Sequence, residues 1–162
     1  MINIVLLEPQ IPQNTGNIVR TCAATNSNLH IIKPMGFRIS DKYLKRAGLD
    51  YWNKISIKIY DDINDFFSYN TGVYYFFTTK SDICYSDVQY VNNNIFLFFG
   101  REDAGLPEVL LKQNHESCIR IPMFNDIRSL NLSNSVAIAI YEVLRQQNFD
   151  NLNTKGNLQY MK

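Results

Sequence analysis

Apolar residues in this chain fall into short runs of two kinds. Asn3–Leu7, Leu29–Ile32 and Ile95–Phe99 are near-continuous, as strands buried on both faces require. Ile55, Ile57 and Ile59 alternate with polar residues, which predicts a half-exposed strand. Val73–Thr78 predicts an aromatic strand, and Cys118–Ile121 a short one. Helical segments separate them. One starts near Gly16 and runs to about Thr25, with Asn14 or Thr15 as its cap and Arg20 about one turn in. Asp41–Ala47 is a short amphipathic helix ended by Gly48. Asp61–Tyr69 has the acidic first turn that a helix dipole favours. Pro107–Gln113 carries proline at its first position. The last helix starts at Ser133, capped by Ser133 or Asn131. Ser81–Asn94 is polar and irregular, and Asn148–Lys162 reads as a loose tail.

Strand, helix and strand within the first thirty or so residues mark a right-handed parallel crossover. Continued alternation predicts an α/β domain, a mostly parallel sheet with helices on both faces. One domain over residues 1–147 and a tail over 148–162 account for the 162 residues. Ligands of such sheets bind beyond the carboxyl ends of the strands. Three strand ends carry unusual residues, Thr78-Thr79-Lys80, Gly100–Pro107 and Pro122-Met123-Phe124, and are expected to converge on one pocket.

A hydrophobic content of 46% excludes a disordered chain. The net charge of +1 gives no global field for nucleic acid, so any RNA contact must use local patches. Lys33–Arg46 is the basic candidate, although its charge alone reads as a solvated helix face. Three widely spaced cysteines form no metal or disulfide pattern and suit a reducing cytoplasm. The N-terminus reads as a strand rather than a signal peptide, and no apolar stretch is long enough to span a membrane.

The loop Pro122–Leu132, dense in polar side chains, is a natural place for a site. Asn134, Ile138 and Tyr141 share one face of the helix that follows. Tyr141 is expected to lean back toward Asn134 and the loop, in an apolar setting, either as a core tyrosine or as a site residue. In Gly100–Pro107, Gly100 permits close backbone approach and Gly105 a positive φ. Glu102 between them is placed to accept hydrogen bonds from a ligand or from loop amides. No Gly-x-Gly-x-x-Gly or Gly-Lys-[Ser/Thr] indicates a nucleotide phosphate cradle. Arg20 suits a phosphate or carboxylate better than a base role, and equally suits an ordinary surface position.

Three segments resemble the knotted methyltransferases of the SPOUT superfamily, specifically the TrmL-type tRNA ribose methyltransferases. They are Asn3–Ala23, Phe98–Pro107, and Ile119–Met123 with Arg128–Asn134 running on to Tyr141-Glu142. Arg46–Tyr51 and Thr78-Thr79-Lys80 match as well, so the similarity reaches to about Arg145. The resemblance implies a deep C-terminal trefoil knot and a homodimer with its active site at the interface. It implies S-adenosylmethionine, converted to S-adenosylhomocysteine, as the cofactor, with no metal. The main chain at Phe77, Gly100, Ile121 and Ser129 is expected to hold it, and Leu130 to flank its adenine. Thr78, Glu102, Met123 and Asn134 are further cofactor positions. Arg20, Arg128 and Tyr141 match positions tied to methyl transfer, and Asn14, Arg20, Arg46 and Arg128 positions tied to RNA. The implied reaction is 2′-O-methylation of tRNA, at the wobble nucleotide (position 34), a cytidine or modified uridine. Another tRNA or ribosomal RNA nucleotide, or a non-catalytic RNA-binding knot dimer, are the alternatives. Arg101, Asp103-Ala104 and the chain beyond Gln146 depart from the family pattern.

Overall fold

The first strand, β1 (Ile2–Leu7), is buried at every position. Its place in the middle of a sheet explains this, since it pairs with β2 (Asn28–Ile32) on one side and β5 (Ile95–Phe99) on the other. The computed structural model describes residues 1–38, 51–91 and 94–158. Among these, β3 (Ile57–Tyr60), β4 (Val73–Phe77) and β6 (Cys118–Ile119) complete a six-stranded sheet of order β3-β2-β1-β5-β4-β6. Every neighbouring pair is parallel. The helices are α1 (Pro12–Thr25), α2 (Ile63–Tyr69), α3 (Glu108–Gln113) and α4 (Leu132–Gln146).

Strand side chains alternate between the two faces, and each face has its own core. Ile2, Ile4 and Leu6 meet Ile18, Val19 and Cys22 of α1 and Val136, Ala139, Ile140 and Val143 of α4. Val5, Leu7, Phe96 and Phe98 meet Phe66 of α2 and Leu110 and Leu111 of α3. Phe66 is the only buried residue of α2, and it anchors that helix. Its ring lies edge-on to His30, Tyr60, Phe67, Phe96 and Phe98, with centroids 5.2–5.6 Å apart, a favoured aromatic arrangement. Layers on both sides explain why these strands read as continuous apolar runs. Strand β3, at the sheet edge, is exposed at both Lys58 and Ile59 and buried at Tyr60, so its burial departs from the expected alternation, in which Ile59 faces the core.

The structure moves several boundaries. Helix α1 starts at Pro12, four residues before Gly16, with the proline in its first turn and no side-chain cap at Ile11. Proline's fixed φ and missing N–H suit that position, so it replaces the expected Asn14 or Thr15 cap. Asn14 is thereby inside the first turn and buried. Pro107 flanks α3 instead of opening it. Asn131 caps α4, its Oδ1 accepting from the amides of Ser133 at 2.9 Å and Asn134 at 3.3 Å. After α4, Asn148 and Phe149 adopt positive φ. That turn brings Phe149 and Leu152 against the core, so the start of the expected loose tail is packed. The expected helix Asp41–Ala47, and Arg46 within it, lie outside the described residues. Among the described residues no helix is long and apolar enough to cross a membrane.

Candidate active site

Strands β1, β5, β4 and β6 are consecutive in the sheet, and the segments leaving their carboxyl ends meet over one cleft of about 530 Å³. That volume is within the roughly 300–1,000 Å³ usual for small-molecule sites. The chain builds outward from β1 to β3 and then returns on the other side of β1, so the cleft opens beside the point where strand order reverses. The three strand ends singled out from the sequence all line it, through Phe77–Lys80, Gly100–Leu106, and Ile121 with Met123. A fourth segment, Ile11 and Asn14 after β1, was not anticipated as part of the wall. The polar loop and the start of α4 close the cleft with Arg128–Leu132 and Ser135.

Glu102 joins the separate walls. Its carboxylate accepts from the Gln10 amide at 2.9 Å, the Ile11 amide at 3.2 Å and the Asn14 side-chain amide at 3.0 Å. The Asn14 oxygen in turn accepts from the Asn131 amide at 3.0 Å. One chain of hydrogen bonds therefore runs from the β5 loop through the first turn of α1 to the cap of α4. Because α1 lacks a side-chain cap, the carboxylate also supplies negative charge at its positive end. Of the two partners the sequence left open for Glu102, ligand or loop amides, the structure fills the second.

The β5 loop is a tight clasp. Arg101 and Gly105 exchange backbone hydrogen bonds of 3.2 and 2.8 Å, and Gly105 sits at φ 70°. A Cβ on Gly100 would stand 2.0 Å from the Gly105 carbonyl carbon, so the loop itself requires glycine there. Arg101 forms a two-pronged bond to Asp103, at 2.9 and 2.8 Å, and lies 3.6 Å from Glu8. These bonds hold the Asp103 carboxyl below its ordinary range. Lys80 pairs with Glu108 at the head of α3 and depresses that carboxyl too. Two of the cations at the rim are thus neutralised locally. The floor is apolar, from Phe77, Phe99, Leu106, Ile121 and Leu132.

Of the expected cofactor positions, Phe77, Thr78, Gly100, Glu102, Ile121, Met123, Ser129 and Leu130 line the cleft, whereas Asn134 is outside it and exposed. Arg128 and Asn14 line it as well, with the Asn14 side chain engaged as described. Arg20 is exposed on α1, away from the cleft of its own chain, its guanidinium 5.2 Å from the centre of the Tyr51 ring. Tyr141 departs from the expected apolar setting. It is 48% exposed and faces a groove formed with Ala24 and the turn after α4. Its side of α4 is the one turned away from the sheet, since Val136, Ile140 and Leu144 take the buried face. Asn131 was read only as a possible cap, and its link to Asn14 has no local sequence signal. Among the described residues no cluster of three or more His, Cys, Asp or Glu is placed to hold a metal.

Comparison with known proteins bears on this site. The sequence pattern of the SpoU rRNA Methylase family matches residues 1–141. A Listeria monocytogenes protein provisionally named as a tRNA (cytidine(34)-2'-O)-methyltransferase is 52% identical over 161 residues, covering 96% of this chain and 94% of its own. A solved structure concerned with 2-OH methylation of C/U34 on tRNA matches with a TM-score of 0.85 and 37% identity, over 91% of each chain. The AdoMet-bound rRNA methyltransferase of Sinorhizobium meliloti matches with a TM-score of 0.79 and 25% identity, over 89% of this chain and 56% of that one.

Proposed function

The chain belongs to the SpoU rRNA methylase family, and on that premise we propose that it methylates the ribose 2′-hydroxyl of the tRNA wobble nucleotide, position 34, from S-adenosylmethionine. The observation that carries this reading is the convergence of four loops on one cleft at the carboxyl ends of adjacent strands. The cleft fits the cofactor in chemistry as well as size. Its apolar residues suit an adenine, and the Arg101–Gly105 clasp gives one wall a fixed backbone shape. Local pairing of Lys80 and Arg101 limits the repulsion a sulfonium would meet.

When bound, S-adenosylmethionine supplies an electrophilic methyl group for direct displacement. The protein's task is then to place a hydroxyl in line with it and to let the hydroxyl proton pass to solvent, and placement lowers such barriers by roughly 7–11 kcal/mol. Phe77, Gly100, Ile121 and Ser129 would hold the cofactor through their main chain, with Thr78, Met123 and Leu130 lining the same cleft beside it. Arg128, exposed at the rim, takes a phosphate of the incoming RNA. Arg20 orients the reacting nucleotide from a second subunit. Its exposure on α1, outside its own chain's cleft, supports action in another cleft. Tyr141 positions that arrangement at the subunit boundary, and its exposed ring supports this. The homodimer and the trefoil knot belong to the same reading. Residence in the cytoplasm does too, in keeping with a tRNA substrate and three free cysteines.

The test is a map of ribose methylation. Purified protein with S-adenosylmethionine and unmodified tRNA is expected to methylate position 34. Methylation elsewhere would move the target, and binding of tRNA without methylation would make the protein a non-catalytic RNA binder.

A further inference from the structure

Among the large apolar side chains of the described residues, Phe124 is the most exposed, at 86%. Its place makes this informative. Met123 before it and Arg128 after it both line the cleft, so residues 124–127 form the crest between two wall positions. A tight turn shapes the crest, with Asp126 at φ 68° and the Ile127 amide donating to the Phe124 carbonyl at 3.3 Å. Ile127, 55% exposed, stands beside it. Leu130 and Ile11 continue an apolar lip around the opening.

A water-exposed phenyl ring on a polar loop gains nothing for folding. Arg128, Asn125 and Asp126 around it argue against an oily partner and for one that is flat, apolar on its faces and polar at its edges. A nucleobase has that chemistry. Unpaired bases in RNA loops are recognised by stacking on aromatic side chains beside arginines that take the phosphates. We propose that Phe124 is a stacking platform for a base of the substrate RNA within one nucleotide of the reacting ribose. This rests on the RNA methyltransferase reading of the cleft. The crest lies between two wall residues of the cleft, so for a ribose entering past it a base stacked on Phe124 fixes how deep and at what angle it enters. Stacking tolerates any base, so the platform adds grip and depth without dictating sequence.

Binding and catalysis are read separately, with an anticodon stem-loop RNA. Phe124→Ala is expected to weaken RNA binding, followed by fluorescence anisotropy, by about tenfold or more, the usual scale for loss of one stacked base. The maximal methylation rate is expected to fall as well, because the ribose is no longer held at its depth and angle, whereas the affinity for S-adenosylmethionine and the mass in solution are expected to stay unchanged. Phe124→Trp is expected to restore binding and Phe124→Leu not to. An abasic substitution at the stacked nucleotide is expected to weaken wild-type binding equally and to add nothing in Phe124→Ala. Unchanged RNA affinity in Phe124→Ala would overturn the platform. So would lost cofactor affinity, which would make the ring a lid, or a changed mass, which would make it a subunit contact. A wild-type protein that binds the stem-loop without methylating it would defeat the catalytic reading and leave the platform to be judged by binding. One that binds no RNA would defeat both.

Discussion

Gly100 and His30 are both tightly constrained, one by shape and one by charge. For Gly100 the constraint comes from its own loop, with Gly105 and Leu106 backbone atoms 2.0–2.2 Å from where a Cβ would stand. Gly100→Ala is therefore expected to destabilise the free protein by about 1–3 kcal/mol, as overpacking does, read by urea unfolding without ligand. An unaltered midpoint would return the glycine's role to the ligand. His30 is 3% exposed, ringed by aromatics, with Nδ1 2.9 Å from the Tyr60 hydroxyl and Nε2 3.3 Å from Asn3 Oδ1. Burial, helped by Lys58, lowers its pKa to about 4. The unfolded chain then binds the extra proton first, so this stabilisation is complete above about pH 6.5 and is lost as pH falls toward 4. The amount is about 3 kcal/mol. Unfolding free energies from pH 7 to 4.5 are expected to fall in the native protein and to stay flatter in His30→Phe. Parallel slopes would clear His30. At this scale the sequence marked Gly100 for close backbone approach and Glu102 as an acceptor for a ligand or for loop amides, without naming the partners. A Cβ clash with residues five and six places on, or a carboxylate reaching back to Asn14, is set by the folded path of the chain.

Helices α1 and α4 each give one face to the core, yet their first turns serve the cleft. Asn14 and Asn131 couple them, the first held by Glu102 and the second capping α4. Asn14→Ala and Asn131→Ala are expected each to cost stability, and the double variant less than their sum. A coupling of about 0.5–3 kcal/mol in urea unfolding is the range for residues sharing one network. Strict additivity would mean the contact carries no energy. Element types were legible from the sequence because buried parallel strands and amphipathic helices have distinct periods, and the alternation through Ile57 and Ile59 marked a half-exposed strand without giving its place at the sheet edge. The start of α1 was misplaced because Thr15 and Asn14 look like caps, while a proline in the first turn removed the need for one. The packed turn after α4 is not legible in the sequence because single left-handed residues such as Asn148 and Phe149 leave little trace in composition. Tyr141 was set in an apolar site because helical spacing gives a shared face without saying what that face meets.

For the molecule as a whole, the position of Arg20 outside its own cleft makes cooperation between chains testable. If the proposed homodimer forms, Arg20→Ala and Leu130→Arg are each expected to be inactive alone, and co-purified heterodimers of the two to regain about one working site per pair. One cleft would then keep intact walls and receive Arg20 from the other chain. Absence of any recovery in verified heterodimers would place Arg20 in its own subunit's chemistry. The sheet order has a separate consequence for synthesis. Strand β1 leaves the ribosome first, and β2 soon covers one of its edges, but the other edge belongs to β5, Ile95–Phe99. At translation rates of about 5–20 residues per second, Ile2–Leu7 therefore waits roughly 4–18 s with one row of its backbone N–H and C=O groups unpaired. The strand that ends at the heart of the molecule is, while the chain is being made, open to pairing with another chain.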